Sequence, residues 1–479
     1  MTIRTRFLNG KGIAVRLQFL GANRQVTGSR YYLESNGTRM LIDCGMFQER
    51  EFLDRNWEPS PIEPKKIDVL LLTHAHLDHC GLIPKLVREG FRGKILTTPA
   101  SADLAELILR DSAEIQAEDA AFKRKRHSKE GRRGGHPEVV LYTADDVDRA
   151  MPRFQSAAYG HPLKLDRRTT ATFHDAGHIL GSSIVEINLE NNGQPRRLIF
   201  SGDLGQRNMP ILKDPAVFDS ADYVVMESTY GDREHQRSED IRTQMARVIQ
   251  ETVEAGGNVV IPTFAVERAQ ELMYYISQLV QERRIPRVPI FLDSPMAIHV
   301  TGIFDRYRDY LDAGTQRQFN EKHSPLHFPG LKLVGSVQES MEINDLRQPA
   351  IIMASSGMCT AGRIKHHLAH NIHRPESTIL FVGFQVRGTL GRQILEGSEE
   401  VRIHGRYRPV RARIAQVYGF SGHADRAGLL GWLAHFCQPP RQLFLAHGEE
   451  QVSLGLADQI RQSMRWEVTV PYYQQTVEL

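Results

Sequence analysis

Thr73-His74-Ala75-His76-Leu77-Asp78-His79 comes directly after an unbroken apolar run, Val69 to Leu72, and places three imidazoles and one carboxylate within six consecutive positions. An aliphatic strand that ends abruptly in neutral imidazole and carboxylate donors suits a borderline metal such as zinc better than calcium or a thiolate cluster. Alternate residues of a strand end point to one side, so the spacing predicts that His74, His76 and Asp78 converge while His79 turns toward a second ion. A paired site, with ions ~3.5–4 Å apart, holds a hydroxide for hydrolysis and clamps phosphate oxygens. The competing reading is a histidine-rich surface turn, because the chain has 20 His. A surface turn, however, has no need of a core strand immediately before it.

Around this stretch the chain is ordinary in composition. Its 479 residues exceed what one core usually supports, so two domains are expected, with three as the alternative. Hydrophobic residues at 41% and charged residues at 24% describe a soluble globular protein. The net charge of +3 announces no global basic field, so any nucleic-acid surface must be local. The opening MTIRTRFLNGKG lacks the apolar core of a signal peptide, and no run of about 18 apolar residues spans a bilayer. A cytoplasmic chain with no membrane partner is the expectation. Cys44, Cys80, Cys359 and Cys437 form no CxxC pair, which signals neither a disulfide framework nor a thiolate zinc site.

Outward from the histidine loop, apolar residues alternate from Val15 to Ile42 with Gly21, Gly28 and Asn36-Gly37 as turns, which reads as an antiparallel meander. Ala102 to Ala120 is helical in composition; Phe122 to Gly135 then reads as a basic, glycine-ended loop, either merely solvated or a phosphate guide. A second strand cluster covers Thr170–Phe173, Ser183–Leu189 and Arg197–Ser201, with Asn191-Asn192-Gly193 as a hairpin turn. After Asp203 the rhythm changes. Continuous apolar runs at Tyr223–Met226, Asn258–Ile261, Pro289–Leu292, Ile351–Ala354 and Thr378–Val382 alternate with helical segments at Val266–Val280, Pro295–Tyr307 and Arg363–His370. Unalternating strands between helices mean a parallel sheet covered on both faces, and mark a second domain over residues 208–392. Residues 1–207 and 393–479 would then be two parts of one discontinuous first domain, because ligand-type residues resume at its end.

Five more apolar strands terminate in such residues: Asp43, His178 in Asp175-Ala176-Gly177-His178-Ile179-Leu180-Gly181-Ser182, Asp203 in Phe200-Ser201-Gly202-Asp203, His423, and His447. Each alone is more easily a hydrogen-bonded core or surface residue. Six recurrences, counting the opening loop, argue for one assembled centre.

HAHLDH, DAGHILGS, FSGD, ESTYGDREH, FSGHAD and LAHGE, in that order, resemble the motifs of the metallo-β-lactamase superfamily in its β-CASP nuclease branch, the branch of RNase J and of the endonuclease that cuts eukaryotic pre-mRNA 3′ ends. The likeness spans almost the whole chain. It implies an α/β fold: a metallo-β-lactamase αββα sandwich with an inserted β-CASP domain, a parallel sheet flanked by helices. It also implies two Zn2+ per chain. His74, His76 and His178 would bind one zinc, Asp78, His79 and His447 the other, and Asp203 would bridge them. Asp43 would fix a ligand imidazole by accepting its N–H, setting the tautomer and raising basicity. Asp78, Glu227 and His423 would carry catalysis, with Glu227 raising the pKa of His423 so that it protonates the leaving 3′-oxygen. The implied activity is a zinc-dependent ribonuclease that leaves 5′-phosphate products from single-stranded RNA. Within the branch, RNA-cutting members carry histidine at the last motif where Artemis-type DNA-repair members have an aliphatic residue, so His447 favours RNA.

Two further segments have the character of phosphate cradles. Ser355-Ser356-Gly357-Met358 lies between a strand and a helix, and Gly383 to Arg392 joins flexible backbone to Arg387, Thr389 and Arg392. Simple strand-to-helix turns are the alternative. Neither is a Walker loop. Phe264 and Phe384 could stack on bases, although aromatics after strands more often belong to a core. Two rival functions stay in view: a catalytically silent RNA-processing scaffold, and a small-molecule phosphodiesterase or ester hydrolase on the same metal core. The resemblance is compatible with an endonuclease, a 5′–3′ exonuclease or both, and with a homodimer.

Overall fold

Alternation of apolar residues near the start of the chain becomes the antiparallel strands Arg16–Gly21, Arg30–Ser35 and Thr38–Ile42. They continue into a parallel set, Val69–Leu71, Lys94–Thr97 and Phe154–Ser156, to make one half of a sheet sandwich. The computed structural model describes residues 15–130, 139–191, 193–235, 240–320 and 324–479. A second seven-stranded sheet starts with Leu163–Lys164, Thr169–Asp175, Ser183–Asn191 and Gln194–Phe200 in antiparallel order, then adds Tyr223–Glu227, Gln442–Ala446 and Val468–Thr469 in parallel. The inward faces pack against each other: Leu17, Phe19, Leu33 and Leu71 from one sheet meet Phe173, Val185, Ile187 and Phe444 from the other in a single buried cluster.

The third sheet is wholly parallel. Its six strands lie in the order Leu331–Leu333, Ile290–Asp293, Ile351–Ala354, Val259–Pro262, Thr378–Phe381, Arg413–Gln416. Helices Ile241–Glu254, Arg268–Gln281, Pro295–Arg306 and Ile364–Asn371 accompany it. This is the sandwich with an inserted parallel α/β domain that the motifs imply.

Sheet membership differs from the sequence reading at both edges of the insertion. Tyr223–Glu227 pairs with Gln194–Phe200 and Gln442–Ala446 in the sandwich, not with the inserted sheet. Arg413–Gln416, beyond residue 392, pairs with Thr378–Phe381 as the inserted sheet's last strand. The basic run also differs. Pro99–Glu130 is one helix of 32 residues, so Lys123 to Glu130 is helical rather than a loop, as suits long charged residues with no glycine before Gly131. Residues 131–138 of that segment, and Asn192 of the hairpin turn, lie outside the described residues. Among the described residues no helix is long and apolar enough to cross a membrane.

Candidate metal centre and acid pair

All the motif residues arrive at one place because the strands of both sandwich sheets end there. Val69–Leu71 runs out into Thr73 and His74; His76 then caps a single helical turn, Leu77–Cys80. That turn breaks strand alternation, so Asp78 does not join His74 and His76. Instead, His74, His76, His178 and Asp203 offer donor atoms within 4.8 Å of one another, and Asp78, His79 and His447 form a second such group. Room for the turn depends on Gly45, where a Cβ would lie 1.6 Å from the Asp78 carbonyl oxygen.

Asp203 stands between the two groups. Its Oδ2 is 3.4 Å from His74 Nε2 and 3.5 Å from His178 Nε2, while Oδ1 is 3.3 Å from His79 Nε2 and 3.6 Å from His447 Nε2. Oδ1 is buried and has no hydrogen-bond partner. His79 Nε2 and His447 Nε2 face each other at 3.1 Å, and His74 Nε2 faces His76 Nδ1 at the same distance. Ring nitrogens and carboxylate oxygens converging without intervening donors fit a bound cation. The donor set of imidazole and carboxylate, with the nearby Cys44 and Cys80 thiols held protonated by burial, fits zinc.

Each ligand-type imidazole that has a second partner is oriented by it. The His178 Nδ1 donates to the Gly422 carbonyl at 2.8 Å, which leaves Nε2 as an acceptor. Asp43 accepts from the Thr73 backbone N–H at 2.7 Å, from Thr73 Oγ1 at 2.8 Å and from His79 Nδ1 at 2.7 Å. Thr229 Oγ1 lies 3.0 Å from His447 Nδ1. Burial lowers the pKa of His74, His76 and His178 and keeps them neutral. At His79 burial acts the same way but is outweighed by the carboxylates of Asp203 and Asp43, which draw positive charge to that point.

Glu227 and His423 sit beside this centre. His423 Nδ1 is 3.1 Å and 3.2 Å from the two Glu227 oxygens and 3.9 Å from Asp203 Oδ2. Glu227 is fixed in turn, accepting from the Leu204 N–H at 2.6 Å. Burial alone would depress the His423 pKa, but Glu227 and then Asp203 raise it to about 9, so the ring holds its proton at neutral pH.

The sandwich, the inserted parallel sheet and this clustering of every motif agree with sequence comparisons. Residues 24–230 match the model of the metallo-β-lactamase superfamily, 269–394 that of the β-CASP domain, and 407–471 that of the Zn-dependent metallo-hydrolase RNA specificity domain. Ribonuclease TTHA0252 of Thermus thermophilus is 39% identical over 92% of this chain and 95% of its own length. The chain belongs to the β-CASP family of the metallo-β-lactamase superfamily. As a β-CASP protein it is a metal-dependent hydrolase. Transcription termination factor FttA of Methanocaldococcus jannaschii is 33% identical over 95% of this chain and 70% of its own. A crystal structure of a protein of unknown function from Enterococcus faecalis shares the fold, at a TM-score of 0.56 and 11% identity over 97% of this chain and all of that one.

The remaining sequence candidates belong to the β-CASP domain, in the segments that follow the carboxyl ends of its strands. Ser355 is hydrogen-bonded to Ser294 at 2.9 Å, Ser356 Oγ to the 360–361 turn at 3.4 Å, and Thr389 caps the helix Leu390–Leu395. Arg392 pairs with Glu396 at 2.7 Å; Gly357 is buried and Arg387 exposed. Sequence reasoning passed over Thr73, Thr229 and His235. The last lies in the ESTYGDREH motif and places Nε2 3.0 Å from the His423 carbonyl oxygen. Their positions inside the motifs were the available signal, but hydroxyls and a lone histidine carry no metal-ligand spacing.

Proposed function

We propose that this chain is a two-zinc ribonuclease that hydrolyses phosphodiester bonds of single-stranded RNA and leaves 5′-phosphate products. The observation that carries this reading is the Glu227–His423 pair set against the bridging-type carboxylate Asp203. A half-buried imidazolium held by a carboxylate at that spot supplies the proton that a nucleotide 3′-oxygen needs as it leaves.

His74, His76 and His178 would hold one zinc and Asp78, His79 and His447 the other, with Asp203 shared. When bound, such a metal pair activates water at neutral pH and stabilises negative charge on phosphoryl oxygens. His423 donates its proton to the leaving 3′-oxygen, and Glu227 keeps the ring in place and charged. Asp43 and the Gly422 carbonyl hold the His79 and His178 rings so that their other nitrogens face inward. RNA as substrate is supported by the ribonuclease at 39% identity and by the match to an RNA specificity model that includes His423 and His447.

The test is incubation of zinc-loaded protein with RNA and DNA oligomers labelled at either end, in parallel with Asp78→Ala and His423→Ala. RNA is expected to be cut and both variants to lose activity, His423→Ala by about 10²–10⁴-fold. Mononucleotides released from the 5′ end would indicate an exonuclease, and internal fragments an endonuclease. Intact RNA alongside hydrolysis of a small ester would overturn the reading.

A further inference from the structure

The β-CASP sheet ends in aromatic side chains that its core does not use. Phe264 follows the strand Val259–Pro262, Phe384 follows Thr378–Phe381 and Tyr418 follows Arg413–Gln416. These three strands are parallel neighbours in that order, so their carboxyl ends open side by side at the ~4.8 Å spacing of a sheet. Phe264, Phe384 and Tyr418 are 41%, 54% and 41% exposed. Large rings left in water on adjacent strand ends, at the edge where parallel α/β sheets bind ligands, mark a recognition surface rather than a spare core.

The surface is firmly mounted. The Phe264 ring lies on Gly357, where a Cβ would come within 2.7 Å of it. Buried Gln385 donates through Nε2 to the Gly357 carbonyl at 2.9 Å, and the Gly391 N–H donates to the Met358 carbonyl at 3.2 Å. Thus the loops after Ala354 and after Phe381 are tied into one ledge. At the other end, Tyr418 leads through Phe420 to His423; Phe420 is braced by the Tyr275 ring at 5.4 Å and by the Arg268 guanidinium at 5.3 Å. Exposed Arg387, three residues after Phe384, adds positive charge beside the row.

We infer that Phe264, Phe384 and Tyr418 form a row of base-stacking positions that delivers single-stranded RNA to the acid pair. The inference rests on the ribonuclease reading above. Stacking suits a nuclease of broad sequence tolerance, since every base has a π-face, and the row is continuous with the site through residues 418–423.

The test measures steady-state cleavage of a short RNA by the zinc-loaded protein and by Phe264→Ala, Phe384→Ala, Tyr418→Ala and the triple variant. Each single substitution is expected to raise KM about 5- to 150-fold, the equivalent of ~1–3 kcal/mol per stacked base, with the loss in KM and not in kcat. Phe384→Trp and Tyr418→Phe are expected to restore KM. As a second measurement on the unaltered protein, RNA carrying abasic nucleotides near the cleaved bond should show the same KM rise, and the triple variant should no longer distinguish abasic from intact RNA. Cleavage by the triple variant with a KM within twofold of the parent would overturn the stacking row alone and would leave these rings to a protein partner. A parent that neither binds nor cuts RNA would overturn both readings.

Discussion

Asp43 shows how much one carboxylate does at the floor of the centre. It holds the Thr73 backbone, the Thr73 hydroxyl and His79 Nδ1 at once, from a left-handed backbone conformation with φ of 59°. Asp43→Ala frees the His79 ring and leaves the Thr73 donors unmatched, so zinc affinity is expected to fall ~10- to 100-fold, read by competition with a chromogenic chelator. An unchanged affinity would mean that the ring is positioned by its neighbours alone. Glu267 works at the domain junction. Its Oε2 accepts from the Leu180 N–H at 3.2 Å, in the loop that carries His178, while Oε1 has no partner. Burial, and then the charge of Glu271, push its pKa well above the ordinary glutamate value; Asp175 adds to the rise, and Arg268 opposes it. A raised folded pKa means that its contribution to stability is complete below about pH 4 and is lost as pH rises through the folded value. Glu267→Gln keeps an acceptor for Leu180 and removes that loss. Its melting temperature is therefore expected to exceed the parent's at pH 8 and to match it near pH 4; a constant difference across that range would contradict the assignment.

At the scale of elements, the basic half of Pro99–Glu130 is the one piece that reads differently as a helix than as a loop. Its first half packs on Pro295–Arg306, where Asp103 meets Arg306 and Tyr307, whereas Lys123 to Arg126 are exposed. Replacing Lys123, Arg124, Lys125 and Arg126 by Gln is expected to leave stability within about 0.5 kcal/mol per site. RNA affinity at low salt should fall, with a shallower slope of log K against log salt by up to ~0.7 per lost phosphate contact. An unaltered slope in a salt titration followed by fluorescence anisotropy would show that the helix does not touch RNA. The strands were legible because aliphatic runs and alternation report burial directly. Sheet membership was not. Tyr223–Glu227 is flanked by parallel strands on both sides, so its unalternating apolar pattern is the same as that of a β-CASP strand. Arg413–Gln416 is a half-exposed edge strand, and nothing in four residues says which distant strand it pairs with.

For the molecule as a whole, the centre exists only because the chain returns. Residues 417–447 come back from the inserted sheet to bring His423, the Gly422 carbonyl and His447 to ligand-type residues laid down before residue 204. The motifs made this assembly legible in the sequence, since each strand-end residue had a ligand's chemistry. The stacking row and the Glu267 contact were less so, because a phenylalanine after a strand and a glutamate before a helix look alike in cores and in sites. The central claim, hydrolysis by water at phosphorus with His423 protonating the 3′-oxygen, is tested most directly by cutting RNA in 18O-labelled water and weighing the products by mass spectrometry. The expected products carry one 18O in a 5′-phosphate and an unlabelled 3′-hydroxyl; products ending in 2′,3′-cyclic phosphate and 5′-hydroxyl would contradict the account.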